Sequence, residues 1–387
     1  MRLLAVLLLC TLLSGCNHSP EVAQPRPPQL FQDDHFVAPP QPVSRAEVFA
    51  LSEPMQRYLD TEIAAQLRDK GRLKGLLAAL YRQGQLKLEY DSSVTKNAAE
   101  AFVSRSGNCL SLVIMTAAFA KALELPVEFQ SALIDESWSR SGGLYLLSGH
   151  VNVTLGRRLM DARSRRDAGQ SVTVDFLPPE DVRGLRTRVV SEDTIVAMYM
   201  NNRAAETLVQ GRTDEAYWWA REAVVQDPGF TGAYNTLGVV YLRRGLAGPA
   251  ERAWREVLRR DANNTRALAN LAQLLAQQGR PAEALPLQRR LSTLEAAPPY
   301  RYFELGMAAL RTGDAEAARA WFEKEVARDP YQAEFHFWLG VAQLRLGRAE
   351  VARRQLELAL ESSTTADERG RYAAKLARLR ADGRPVR

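Results

Sequence analysis

Cysteine is scarce in this chain, because its 387 residues include only Cys10, Cys16 and Cys109. Three cysteines cannot supply a disulfide framework, and their spacing matches neither a zinc site nor a cluster-binding run. We therefore expect no metal ion and no other cofactor.

The chain also lacks blocks of one charge sign. Its 51 Lys and Arg residues are interspersed with 45 Asp and Glu residues, so the formal charge of +6 is spread along the sequence. Nucleic-acid binding proteins usually concentrate positive charge, and we expect no nucleic-acid partner. A composition of 46% hydrophobic and 25% charged residues is typical of a globular protein, with room here for two or three domains.

Residues 1–16 have the pattern of a targeting signal. A charged start precedes the apolar residues 3–13, a run shorter than the ~20 residues that a membrane-spanning helix needs. Residues 13–16 read Leu-Ser-Gly-Cys, which resembles the lipobox of bacterial lipoproteins and implies a lipid on Cys16. Asn17, where an aspartate would favour the inner membrane, implies an anchor in the outer membrane facing the periplasm. An ordinary secretory signal is the alternative.

Residues 17–44 contain seven prolines and little apolar periodicity. This composition predicts an extended tether between the anchor and the folded body. Ser44 and Glu47 have the spacing of a capping box, so we expect the folded part to begin at residue 45.

Small residues recur with a period of 34 in the C-terminal half. One column contains Gly211, Gly245, Gly279, Gly313 and Gly347, and another contains Ala216, Ala250, Ala284, Ala318 and Ala352. Small residues at this spacing let antiparallel helices cross closely and let the chain turn between them. The pattern resembles the tetratricopeptide repeat, with five units over residues 197–366 and a capping helix and tail over 367–387.

The first helix of each repeat is expected to line the concave face of the array. Six residues are the predicted partner-binding positions: Asn201, Asn235, Phe303, Phe337, Arg311 and Arg345. An apolar groove with a row of arginines could hold a protein, a peptide or the N-terminal domain. Alternatively, the arginines form a solvated edge.

Residues 45–190 show mixed helical and strand patterns. Cys109 starts a long apolar segment that is predicted to be a helix, and a helix N-terminus favours thiolate over thiol. His18 and His35 lie in the predicted tether and His336 lies in a repeat, which leaves His150 as the candidate base. His150 opens an alternating strand, and Asp175 ends a later one, where an acid can orient an imidazole.

Three motifs carry a family resemblance: residues 107–111 (Gly-Asn-Cys-Leu-Ser), His150 at a strand start, and residues 174–176 (Val-Asp-Phe). Their order is similar to that of the transglutaminase-like, papain-related fold. The resemblance implies that Cys109 is the nucleophile, His150 the base and Asp175 the orienting acid. Asp161 and Asp167, in a long Arg-rich stretch, are rival acids. Backbone N–H groups at the helix start are the expected oxyanion donors, with the Asn108 side chain as a further candidate.

The predicted fold is an α+β transglutaminase-like domain followed by an all-α tetratricopeptide solenoid. The resemblance implies a lipid-anchored cysteine peptidase, amidase or acyltransferase that acts on a protein or peptide. The alternative is a non-catalytic scaffold lipoprotein that organises envelope proteins, with Cys109 as a buried packing residue.

Overall fold

The computed structural model describes residues 30–81, 88–141, 144–156, 171–176, 186–295 and 297–382. The predicted signal with Cys16, the first part of the tether, and the rival acids Asp161 and Asp167 lie outside the described residues. Within these ranges, no helix combines the length and the apolar character needed to cross a membrane.

The N-terminal domain is built around one buried helix. Among the residues described up to Ala122, the α-helices are α1 (Glu53–Arg57), α2 (Ala64–Lys70), α3 (Arg72–Tyr81), α4 (Ala98–Ser104) and α5 (Cys109–Ala122). A π-helical turn, Tyr58–Glu62, separates α1 from α2. In α5 every residue from Cys109 to Ala120 is buried, as expected for a helix that is apolar on all sides. Ser44 accepts a hydrogen bond from Ala46 in a turn, so the predicted capping box starts no helix, and α1 begins at Glu53.

The described part of the N-terminal domain also contains two small sheets. Strands β1 (Glu89–Tyr90) and β2 (Ser106–Gly107) pair in parallel just before α5. The second sheet is antiparallel, with strand order β5-β4-β3-β6, and consists of β3 (Val127–Ser141), β4 (Leu144–Leu155), β5 (Val172–Val174) and β6 (Arg186–Val190). The apolar face of β4 buries Val151, Val153 and Leu155 in the same core as α5. His150, Asn152 and Thr154, on the other face, are also buried.

The C-terminal half is a series of five antiparallel helix pairs and a last helix. The pairs are α6 (Glu192–Val209) and α7 (Thr213–Gln226), α8 (Thr231–Arg243) and α9 (Ala247–Arg260), α10 (Thr265–Gln277) and α11 (Pro281–Leu294), α12 (Arg301–Thr312) and α13 (Ala315–Arg328), and α14 (Ala333–Arg345) and α15 (Ala349–Glu361); α16 (Ala366–Asp382) follows. The glycine column lies between paired helices, where Gly245 has a φ of 82° that a side chain would strain. A Cβ atom at Gly238 would lie 2.5 Å from Trp254 Nε1, which explains a small residue there.

The first repeat helix belongs to both halves of the molecule. Helix α6 begins at Glu192, before the predicted repeat start at residue 197, and its Ile195, Val196 and Met200 share one hydrophobic core with α5. This core continues to Ala284 in α11, and a second core begins at Tyr300. The predicted boundary between residues 190 and 197 therefore marks a change of architecture within a continuous core.

Residues 30–37 differ from the predicted extended tether. They include a short 3₁₀ turn, Asp33–His35, and they pack against α7 and α8, with Leu30 and Phe36 buried. The chain thus starts its folded part before residue 45. We call residues 30–37 the docking segment.

The shared core predicts that the N-terminal domain depends on α6. A chain ending at Val190 loses Ile195, Val196 and Met200, and each such buried side chain contributes roughly 2–5 kcal/mol. That sum is comparable with the whole stability of a domain, about 5–15 kcal/mol. We expect this chain to show no cooperative unfolding in urea by circular dichroism.

A chain ending at residue 295 is the matched control, because it keeps α6 to α11, and with them the whole first core and the contacts of the docking segment. It should unfold cooperatively. Cooperative unfolding of the chain that ends at Val190 would contradict a shared core.

Candidate functional site

The side chain of Asn108 caps the helix that begins at Cys109. Its Oδ1 accepts hydrogen bonds from the Ser111 amide (2.9 Å) and the Ser111 hydroxyl (2.8 Å), while its Nδ2 donates to Thr95 Oγ1 (2.8 Å). Thr95 is itself buried, so the amide points into the protein. This orientation does not match the predicted role of Asn108 as an oxyanion donor. The backbone N–H groups at the start of α5 remain the donors that the fold offers.

His150 lies on β4, and Asp175 directly follows the neighbouring strand β5. The two strands pair with Val153 opposite Val174, and this register brings Asp175 close to His150. His150 Nε2 lies 2.8 and 2.9 Å from the two carboxylate oxygens of Asp175. Asn152 Nδ2 donates to the same carboxylate at 3.1 Å. Asp175 therefore fixes the orientation of the imidazole, and Asn152 fixes that of Asp175.

The Cys109 sulfur lies beside the backbone that leads into His150. Its Sγ lies 3.7 Å from the carbonyl oxygen of Gly149, the residue before His150. Burial disfavours the charged imidazole, but hydrogen bonds to Asp175 and Cys109 outweigh it and raise the pKa of His150 to about 9. Because Nε2 faces Asp175, Nδ1 is the ring nitrogen that is left for another partner. The structure thus brings a carboxylate-bound imidazole and the Cys109 thiol into the same neighbourhood.

Tyr90 is a neighbour of the thiol that the sequence analysis did not identify. Strand β1 places Tyr90 opposite Gly107, two residues before Cys109. Burial raises the pKa of Tyr90, and negative charge on Cys109 raises it further. The phenol therefore keeps its proton and can donate a hydrogen bond next to the sulfur. A strand of two residues leaves no periodic signal by which Tyr90 could have been found.

Residues 91–97, which we call the capping loop, connect this site to the repeats. The Thr95 amide donates to Glu206 Oε1 (2.7 Å), and Thr95 Oγ1 accepts from Asn202 Nδ2 (3.2 Å); both partners are on α6. At the other end of the array, Thr364 binds Ser92 through a backbone hydrogen bond of 3.0 Å and a hydroxyl pair at 2.7 Å. Both ends of the repeat array therefore contact the loop that holds the cap of α5.

The six predicted partner-binding residues do not form one surface. Phe303 is fully buried between Phe322 and Phe335, so it belongs to the core and not to a groove. Asn235 is also buried, where its Nδ2 donates to Asn264 Oδ1 at 3.1 Å. Helical periodicity correctly assigned these positions to first helices, but each helix has a face toward its own partner helix as well as one toward the groove.

The other four residues are distributed along the array. Asn201 is half-buried on α6, and Arg311 is exposed. Arg345 donates to the Leu310 carbonyl at 2.7 Å, and Phe337 stacks on Tyr372 of α16 with ring centroids 4.7 Å apart. Of the six, Phe337 lines a cleft at the C-terminal end of the described residues.

That cleft lies between α14 and α16 and has a volume of about 240 Å³. We call it the C-terminal cleft; it is lined by Glu334, Phe337, Trp338, Glu368, Arg371 and Tyr372. Aromatic faces and carboxylates together suit a ligand that carries a cation beside an apolar group. Among the described residues, no group of three His, Cys, Asp or Glu side chains could hold a metal ion.

Comparisons with known proteins identify the repeats. A family model for the tetratricopeptide repeat matches residues 235–301 and 303–368. The C-terminal half therefore contains tetratricopeptide repeats, as predicted. A search among curated proteins gives no match.

Three solved structures of other proteins are similar to part of this chain. YrrB, a tetratricopeptide protein described as having an unusual peptide-binding site, is 23% identical over 46% of this chain and 92% of YrrB, with a TM-score of 0.25. TTC0263, a thermophilic tetratricopeptide protein of Thermus thermophilus, is 21% identical over 47% of this chain and 99% of its own, with a TM-score of 0.30. The pilF protein of Pseudomonas aeruginosa is 22% identical over 47% of this chain and 91% of its own, with a TM-score of 0.27.

The hydrogen bonds of Thr95 predict that its hydroxyl stabilises the start of α5. Thr95→Val keeps the shape of the side chain but leaves the half-buried side-chain amides of Asn108 and Asn202 without this acceptor, a loss of about 1 kcal/mol. We expect a lower urea midpoint of unfolding, and Thr95→Ser should restore it.

Thr312→Val is the matched control, because the Thr312 hydroxyl is exposed and bonds only within its own helix. Its effect should stay within about 0.5 kcal/mol. Equal effects of Thr95→Val and Thr312→Val would mean that the capping loop does not stabilise the site.

Proposed function

We propose that this chain is a protein-binding scaffold. The observation that carries the proposal is the tetratricopeptide array, in which five helix pairs and a last helix follow one another. In such an array each repeat packs only on the repeats beside it, so the array is elongated and exposes a large surface for its volume. This shape suits the binding of protein segments.

The proposal includes an anchor and a location. The apolar residues 3–13, the Leu-Ser-Gly-Cys motif that ends at Cys16, and Asn17 support a lipid anchor in the outer membrane with the folded body in the periplasm. The partners are then proteins of the cell envelope.

The C-terminal cleft is the surface that we propose for partner binding. Trp338 and Phe337 are half-buried and offer apolar contact, and Glu334 and Glu368 add negative charge at the rim. A partner segment with a basic side chain next to an apolar one matches this lining.

The test is photo-crosslinking in living cells with p-benzoylphenylalanine at residue 338. We expect an adduct with an envelope protein that is about tenfold stronger than the adduct from residue 331. Tyr331 is the matched position, because it is an exposed aromatic residue outside the cleft. Glu334→Lys together with Glu368→Lys should remove the adduct, and equal adducts at both positions would contradict the proposal.

A second candidate function is favoured by the geometry of Cys109, His150 and Asp175. An imidazole held by a carboxylate lies beside a thiol at a helix N-terminus, which is the nucleophile, base and orienter arrangement of cysteine hydrolases and acyltransferases. We propose that the N-terminal domain is a transglutaminase-like cysteine peptidase, amidase or acyltransferase acting on a protein or peptide. The scaffold function does not depend on this activity.

The proposed reaction has two stages. The Cys109 thiolate attacks an amide carbonyl carbon, so that a C–S bond forms and the carbonyl oxygen becomes an oxyanion near the backbone N–H of Cys109 and the Tyr90 hydroxyl. The C–N bond then breaks, and the leaving amine takes a proton from the His150 imidazolium. Water or another amine attacks the thioester, gives its proton to His150 and releases the thiolate.

The raised pKa of His150 predicts the pH dependence of thiol alkylation. A group whose pKa is raised to about 9 stays protonated below that pH, so His150 keeps a positive charge near the sulfur at pH 6 and loses it above pH 9. The charge favours reaction of the sulfur with iodoacetamide at the lower pH, and the measure is the rate at pH 6 divided by the rate at pH 9. The ratio also cancels the limited access to a buried sulfur.

His150→Ala should lower this ratio, because the variant has no positive charge near the sulfur at pH 6. His336→Ala is the matched control, because His336 is also buried but bonds Gln355 and the Pro330 carbonyl. An unchanged ratio in His150→Ala would rule out the ion pair and leave the scaffold function alone.

A further inference from the structure

The backbone of the docking segment, residues 30–37, is held by side chains of the first two repeats. The Gln32 amide donates to Tyr217 Oη (2.9 Å), and the Val37 amide donates to Asp214 Oδ1 (3.1 Å). Three carbonyl groups accept from the repeats: Leu30 from Tyr241 Oη (2.5 Å), His35 from Arg244 Nε (3.1 Å) and Val37 from Trp218 Nε1 (2.7 Å). Five main-chain groups of one short segment are thus bound by side chains about 180 to 210 positions away in the sequence.

Two side chains of the segment give this contact its selectivity. The Phe36 ring stacks on the Tyr217 ring with a centroid distance of 3.9 Å and an interplanar angle of 5°. Asp33 accepts hydrogen bonds from Tyr217 Oη and from Arg221 Nε, the latter at 2.9 Å. The repeats therefore recognise a carboxylate and, three residues later, an aromatic ring.

This set of contacts differs from ordinary packing between two parts of a domain. Main-chain hydrogen bonds that fix an irregular segment, together with pockets for a few side chains, are how proteins bind peptides. Arg221 of the site pairs with the Asp33 carboxylate, while Arg244 pairs with Asp214 of the repeats and bonds the His35 carbonyl. Arg221 also lies over the Phe31 ring at 4.7 Å.

We propose that the surface formed by α7 and α8 is a peptide-recognition site that the chain fills with its own residues 30–37. Its ligand class is a short acidic segment in which an aspartate precedes an aromatic residue by three positions. The inference rests on the proposed protein-binding function of the repeats and names one site and its ligand. A segment attached by a short linker has an effective concentration in the millimolar range, so the site is closed to external segments of similar affinity.

The first test measures, by hydrogen exchange in the full chain, whether the docking segment occupies the site. In the wild type the amides of Gln32 and Val37 should be protected, and in Asp33→Ala/Phe36→Ala they should exchange about tenfold faster or more. Asp34→Ala is the matched control, because Asp34 is exposed in the same turn, and it should leave the protection unchanged. Equal exchange in the wild type and the double variant would overturn the proposal.

The second test adds the ligand from outside. A fluorescent peptide of residues 28–38 should bind the double variant, whose own segment no longer competes, with an affinity at least about tenfold higher than its affinity for the wild type. The same peptide with both substitutions should bind neither protein. A folded double variant that binds the wild-type peptide no better than the wild-type protein does would overturn the proposal.

A third experiment uses a cleavable form of the protein, so that its result does not depend on whether the double variant folds. A protease site replaces Gln41 in the otherwise native chain, and cleavage frees the docking segment without changing any residue of the site. We expect the segment to dissociate on dilution and the fluorescent peptide to take its place; peptide uptake that cleavage does not increase would overturn the proposal. These experiments use no external partner protein, so a negative result would contradict the peptide site on α7 and α8 but not the proposed binding at the C-terminal cleft. Conversely, a failed crosslink at residue 338 would contradict the cleft proposal but not the peptide site.

Discussion

The arrangement of the molecule depends on how the N-terminus of a buried helix obtains its hydrogen bonds. Helix α5 is buried from Cys109 to Ala120, so the free amides of its first turn have little access to water. Asn108 satisfies one of them, and Thr95 fixes Asn108, while α6 in turn holds Thr95. The same bonds place the only described cysteine at the positive end of a helix. Capping, core packing and the position of the thiol therefore have one structural cause.

This arrangement joins the two candidate functions physically. Helix α6 is both the first repeat helix and a wall of the N-terminal core, and the far end of the array returns to Ser92. A partner that changed the curvature of the repeats would strain the capping loop from both sides. If both proposed functions hold, partner binding along the array and chemistry at Cys109 would be coupled through residues 91–97, although each function can exist without the other.

The sequence predicted those parts of the structure that depend on local pattern. The 34-residue period gave the helix pairs, and alternation in β4 placed His150 on the face that meets Asp175. Contacts between distant residues left no such pattern. Tyr90 lies on a two-residue strand, Glu206 reaches Thr95 across 111 positions, and the prolines around residues 30–37 concealed a segment that binds α7 and α8. Phe303 was misplaced because a helical period does not say which neighbouring helix a face will meet.

The docking segment also sets how far the repeats can be from a membrane. A free tether from Cys16 to residue 45 would have 28 intervening residues, but the repeats hold the chain from Leu30, which leaves only residues 17–29. Thirteen residues span at most about 45 Å when fully extended. If Cys16 carries the lipid, the point at which the repeats bind Leu30 lies within that distance of the bilayer, so partners are met in a thin layer beside the membrane. The reach is then set by residues 17–29 alone and not by the whole proline-rich stretch 17–44.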